Sequence, residues 1–153
     1  MAYASTALSF MLENLGKPVV FTGSQIPLSE PYNDARRNLI MSLIFASRET
    51  IPEVSIFFHD RLLRACRSTK VNTHRLMAFD SPNVEPLAKI GITIDENESL
   101  SLPIPRGPLK THTRMVGDLE THYCNLENIL CNFIPYCLSK GYQITYTQAC
   151  PWF

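Results

Sequence analysis

The feature that most constrains this chain is the order of events between residues 17 and 72, KPVVFTGSQIPLSEPYNDARRNLIMSLIFASRETIPEVSIFFHDRLLRACRSTKVN. An apolar run is followed by a Gly/Ser/Pro turn, an amphipathic segment, a second apolar run and a polar loop ending in Thr69-Lys70-Val71. That order predicts strand, loop, helix, strand, loop. A unit of this kind belongs to an α/β domain, whose parallel strands carry their chemistry in the loops at their carboxyl ends.

Around this unit the local signals are graded. Ala4, Leu8, Met11, Leu12 and Leu15 fall on one helical face, with Gly16 as the stop, so a first helix is expected over Ala2 to Leu15. Val19, Val20 and Phe21 suit a strand buried on both faces, and Val54 to Phe58 (VSIFF) a second one after Pro52. Between them Asn33 or Asp34 can cap a helix whose apolar stripe is Leu39, Ile40, Leu43 and Ile44. Leu62-Leu63 can pair briefly, a helical turn is expected at Leu76 to Phe79, and Leu87 to Ile94 reads as one or two short strands around Gly91. The segment LPIPRGPLKTHTRM, with prolines at 103, 105 and 108, is extended and linker-like. From Leu119 onward the chain turns rich in Cys and Tyr with no clean period, and one helix near Leu126 to Leu138, interrupted by Pro135, is the most it predicts.

Composition removes several classes of function. Lys plus Arg and Asp plus Glu number 14 each, so no net basic field attracts nucleic acid or anionic membrane, and a small molecule or another protein is the expected partner. No apolar run approaches the roughly 18 residues of a membrane helix. The opening AYASTALSFML lacks the basic start and small-residue cleavage site of a signal peptide, so a buried helix in a cytoplasmic protein is expected. The five cysteines, Cys66, Cys124, Cys131, Cys137 and Cys150, show no C-x-x-C spacing, so neither a zinc site nor a redox pair is indicated and reduced thiols are the default.

The candidate residues each carry two readings. Gly23-Ser24 is either a plain turn or a βα loop that lets backbone approach a ligand. Lys70 is either a solvated lysine or an amine that moves a proton to or from a hydroxyl nucleophile. Asp34 is a helix cap or an acid, and His59 and His74 are polar surface or half of a metal site with no third ligand at sensible spacing. Arg61, Arg64 and Arg67 read as a solvated edge. No G-x-G-x-x-G or Walker pattern occurs, so no nucleotide cofactor is expected.

Met1-Ala2-Tyr3 followed by ALSFMLENLGKPVVFTGSQIPL, then NDARRNLIMSL, IPEVSIFF and LLRACRSTKVNTHR, closely resembles the cytoplasmic (type I) L-asparaginases, in register from Met1 to about Met115. The resemblance implies a partial flavodoxin-like parallel sheet with flanking helices over residues 1–115, lacking the first strands and the carboxyl-terminal domain, and a divergent tail over 116–153. It implies hydrolysis of asparagine to aspartate and ammonia through a threonine nucleophile, with no metal and no cofactor. Lys70, in the STK stretch, aligns with the lysine of a Thr-Asp-Lys group, and Ser24, in TGSQ, with a position whose backbone carbonyl holds the substrate amide. The family's Thr-Asp pair lies just ahead of the methionine that is here Met1, so these residues alone are expected to be inactive. They would act in a homo-oligomer, with a full-length asparaginase subunit, or as a non-enzymatic interaction module. Ala35 and Ala65 stand where glycines are usual, and Cys66 where asparagine is common.

Overall fold

The structure is a computed structural model that describes residues 1–113. The tail expected at 116–153, with its helix near 126–138 and the four late cysteines, lies outside the described residues.

The α/β class expected from the sequence is the one adopted. Helix α1 (Ala2–Met11) and the short strand β1 (Leu12–Glu13) open the chain, and β2 (Val19–Phe21), α2 (Ala35–Ser47) and β3 (Val54–Phe58) form the anticipated unit. β4 (Arg61–Arg64), β5 (Thr69–Lys70), β6 (Phe79–Asp80), β7 (Ala88–Ile90), β8 (Ile94–Glu96) and β9 (Lys110–Thr111) follow. The main sheet is mixed, in the order β2-β3-β4-β7-β8. β2 and β3 are parallel, with Val19 opposite Val54 and Phe21 opposite Ile56, while the remaining neighbours are antiparallel. For β3–β4 and β7–β8 short connections explain this, because a two-residue turn at His59-Asp60 or a three-residue turn at 91–93 can join only antiparallel strands.

β3 is the centre of the domain, buried along its whole length. Its alternating side chains feed two apolar clusters, one on each face of the sheet. Val54, Ile56 and Phe58 join Leu63, Ala65, Ala78 and Phe79, and this cluster is covered by Met1, Ala2 and Leu8 from the α1 region. Phe57 joins Leu62, Leu87 and Ala88 and is covered by Phe45 of α2, with the Phe45 and Phe57 rings 5.6 Å apart. Complete burial of such a side chain contributes about 1.5–3 kcal/mol, so this strand dominates the stability of the fold. β2 is half-buried rather than covered on both faces.

Four further local expectations are corrected. The first helix stops at Met11, since Leu12 is extended and Asn14 turns the chain at φ 60. The backbone of Leu12 and Glu13 instead pairs with Thr111 and Lys110; Leu8, Leu12 and Leu15 pack on the core, but Leu12 and Leu15 do so from outside the helix and Ala4 of the expected face is exposed. No helical turn forms at 76–79, because Phe79 pairs with Lys70 in β6 and the Ala78 carbonyl accepts from the amides of Val71 and Asn72. Helix α2 turns Asn38, Ser42 and Phe45 inward and leaves Leu39, Ile40 and Leu43 exposed, inverting the expected stripe. Finally, Arg64 is no solvated edge. Its guanidinium grips the buried Glu53 carboxylate, with Nε 2.6 Å from Oε2.

Candidate functional site

The parallel pair β2–β3 ends in two loops on the same edge of the sheet, and a single buried side chain joins them. Asn38, in the second turn of α2, is 1% exposed. Its Nδ2 donates to the Gly23 carbonyl at 2.8 Å and to Asp34 Oδ2 at 3.2 Å, and its Oδ1 accepts from the His59 amide at 3.1 Å. The Thr22 hydroxyl adds a bond to the Phe57 carbonyl at 3.1 Å. Buried polar groups hold their place only when they are satisfied in this way, so Asn38 fixes both turns.

Asp34 works on the same loop. Its carboxylate accepts from the Gln25 amide at 3.0 Å and from the Ile26 amide at 2.9 Å. The helix-capping bond comes from Asn33, whose Oδ1 accepts from the Arg36 amide at 3.1 Å. Of the two residues able to cap α2, Asn33 supplies the side-chain bond and Asp34 organises the chain before it. Ser24 sits on the surface between these anchors.

Lys70 is exposed on β5, with its ammonium 6.0 Å from the centroid of the Phe79 ring across the β5–β6 ladder. Gln25 links its loop to that of Ser24. The Gln25 Nε2 donates to the Thr73 carbonyl at 3.0 Å and to the Arg75 carbonyl at 3.1 Å. Asn72 Oδ1 stiffens the same loop by accepting from the His74 and Arg75 amides. The Ser24 and Lys70 loops are thus joined by one carboxamide.

The remaining candidates separate from this arrangement. His59 is half-buried in the β3–β4 turn at φ 61, and His74 is exposed on the loop after Lys70. Among the described residues no group of three His, Cys, Asp or Glu side chains is placed to hold a metal ion. Arg61 pairs with Asp80 at 3.1 Å. Burial pushes the Cys66 thiol above its ordinary pKa, with Arg64 and Arg67 opposing that rise, so it is a poor nucleophile. Sequence reasoning missed Gln25 and Asn38. The visible signal was an amide residue one turn beyond Asp34, in a helix otherwise expected to bury Leu and Ile.

The model of the family described as "Asparaginase, N-terminal" matches residues 1–101. L-asparaginase 1 of Escherichia coli strain K12 is 48% identical over 112 residues, which cover 73% of this chain and 33% of that protein. The mouse 60 kDa lysophospholipase is 49% identical over 100 residues, 65% of this chain and 18% of the relative. The crystal structure of L-asparaginase I from Vibrio cholerae superposes with a TM-score of 0.66 at 45% identity, covering 73% of this chain and 34% of that one. The chain therefore spans about a third or less of the length of these relatives. Among the described residues no helix is long and apolar enough to cross a membrane. With two thirds of its length in register with one family model and its mixed sheet matching a solved member, the chain belongs to the asparaginase family through that family's amino-terminal domain.

Proposed function

We propose that residues 1–115 supply the lysine side of an amide-hydrolysing site that converts asparagine to aspartate and ammonia, with residues 116–153 a separate tail. In this reading the Lys70 amine exchanges a proton with a hydroxyl nucleophile, and the Ser24 backbone carbonyl accepts a hydrogen bond from the substrate amide. The observation that supports it is the Gln25 bridge, which joins the two loops that the reaction needs to keep in register. Positioning of this kind is where much of a barrier reduction originates. The reaction so described needs no metal or cofactor. A cytoplasmic setting is part of the proposal.

A Thr-Asp pair occurs nowhere in these 153 residues. A lysine accelerates nothing without a hydroxyl aimed at a carbonyl, so these residues alone do not turn over asparagine. A second reading makes these residues a non-enzymatic module that associates with complete asparaginase subunits or with a further copy of the chain.

Ammonia release from asparagine separates the readings. The 153-residue chain should release none. Once it is joined to a segment bearing the Thr-Asp pair and to a carboxyl-terminal domain, it should release ammonia. That activity should fall at least a hundredfold in Lys70→Ala and persist in Ser24→Ala, which keeps the carbonyl. Turnover by the chain alone, or by the completed protein regardless of Lys70, would refute the assignment. Failure of the completed protein, together with co-purification of this chain with an intact asparaginase, would favour the module.

A further inference from the structure

We infer that Asp34 is a positioning residue that sets the preference for a carboxamide over a carboxylate, by holding the Gln25 amide so that the Ser24 carbonyl of the same peptide unit faces outward. The inference rests on the proposed reading of the Ser24 carbonyl and adds the side chain that aims it. Asp34 is 8% exposed. Its carboxylate makes no capping bond to α2. It accepts instead from the Gln25 amide, 3.0 Å from Oδ2 and 3.2 Å from Oδ1, and from the Ile26 amide, 2.9 Å from Oδ1.

Peptide geometry supplies the direction. Among the described residues no peptide bond is cis, so the N–H and the C=O of each unit point opposite ways. With the Gln25 N–H turned in to Asp34, the Ser24 C=O is turned away from it. The preceding unit is locked in the same manner, because the Gly23 carbonyl turns in to Asn38 Nδ2 at 2.8 Å. Asn38 Nδ2 also donates to Asp34 Oδ2 at 3.2 Å, so the two anchors hold each other. Both peptide units flanking the exposed Ser24 are therefore fixed from the helix side, and neither is free to flip.

An aimed carbonyl discriminates by chemistry. A primary carboxamide brings N–H donors to it, whereas a carboxylate brings only acceptors and is repelled. The substrate amide is thus held and the product carboxylate is not. A carbonyl free to rotate would lose most of that contrast, because the cost of ordering it would fall on binding. Asp34 also fixes the backbone from which the Gln25 side chain reaches the Thr73 and Arg75 carbonyls, so one carboxylate supports both loops.

The completed protein in its Lys70→Ala form binds without turning over, and titration calorimetry at pH 8 then reads affinity alone. Asparagine should bind at least tenfold more tightly than aspartate. In Asp34→Asn the new NH2 meets the Gln25 N–H as donor against donor, because that amide touches both carboxylate oxygens. Asparagine affinity should fall at least tenfold while aspartate affinity changes less than threefold, so the preference collapses. A merely structural role would weaken both ligands alike. The parent decides the matter if Asp34→Asn fails to fold: its Gln25 amide should resist hydrogen exchange, and asparagine but not aspartate should shift the Ser24 carbonyl carbon resonance. An unchanged preference in folded Asp34→Asn, an unprotected Gln25 amide, or a Ser24 carbonyl indifferent to asparagine would each overturn the inference. Absence of ammonia release with Lys70 intact would overturn the catalytic reading instead, since none of these measurements requires turnover.

Discussion

Replacing Arg64 by methionine should cost far more than the loss of an ordinary surface charge. The Glu53 side chain is only 4% exposed and that of Arg64 18%. Arg64 donates to both carboxylate oxygens, from Nε at 2.6 Å and from Nη2 at 3.0 Å, and its Nη2 also reaches the Leu100 carbonyl at 2.6 Å. Glu53 Oε1 in turn accepts from the Leu102 amide at 2.8 Å. The hydrogen bonds with Glu53 hold the guanidinium above its ordinary pKa against the opposing effect of burial. One ion pair therefore ties β4, the approach to β3 and the returning segment at 100–102. Breaking a buried pair from one side leaves an uncompensated charge and costs about 3–5 kcal/mol. Against a domain stability of roughly 5–15 kcal/mol, that lowers Tm by more than about 10 °C.

The deficit of Arg64→Met should be read in circular dichroism melts at neutral pH, where the buried carboxylate is left without its partner. Glu53→Gln/Arg64→Met should recover most of the loss, because Gln keeps an acceptor for the Leu102 amide and removes the buried charge. A Tm deficit below about 3 °C at neutral pH, or a double variant no more stable than Arg64→Met, would refute the reasoning.

Two further outcomes follow from single residues. His59→Gly should raise stability by about 0.5–1 kcal/mol in urea unfolding, since the residue sits at φ 61, where a side chain is strained and glycine is not. A loss would mean that the imidazole makes a compensating contact. Cys66 should react slowly with iodoacetamide at pH 8 in the native chain and quickly in urea, because burial keeps the thiol protonated. Its folded pKa is raised, so it adds stability below the unfolded thiol range that disappears as pH climbs through the folded value. Equal reactivity in the two states would show that burial does not govern this thiol.

The fold was legible where one residue type serves local and tertiary demands together. VSIFF is apolar on both faces because both faces of β3 are covered, and Gly91 marks the β7–β8 hairpin. The candidate site was suggested only by ordered resemblance, since an exposed serine and an exposed lysine look like any others. What remained hidden depended on partners distant in sequence. Asn38 faces inward because the Gly23 carbonyl and the His59 amide meet it, 15 and 21 residues away. Arg64 finds Glu53 only after β3 and β4 pair in a register that sets Ser55 opposite Arg64. Residues 76–79 have helical composition, but β6 forms because Lys70 is available to pair with Phe79.

The inversion of α2 joins the two ends of this reasoning. A helix packed on a sheet gains most by turning Leu and Ile inward, and this one holds Leu39, Ile40 and Leu43 to the outside. The inward positions are taken by Asn38 and Ser42, whose hydroxyl bonds the Asn38 carbonyl at 2.7 Å, and by Phe45. Rotating the helix to bury the leucines would strip the Gly23 carbonyl and the His59 amide of their partner. An unsatisfied buried group costs about 1–3 kcal/mol each, and the two loops at the strand ends would lose their common anchor. The helix is therefore held in place by the polar demands of the candidate site. The apolar stripe left on its far side is the physical counterpart of that constraint, carried by the same thirteen residues.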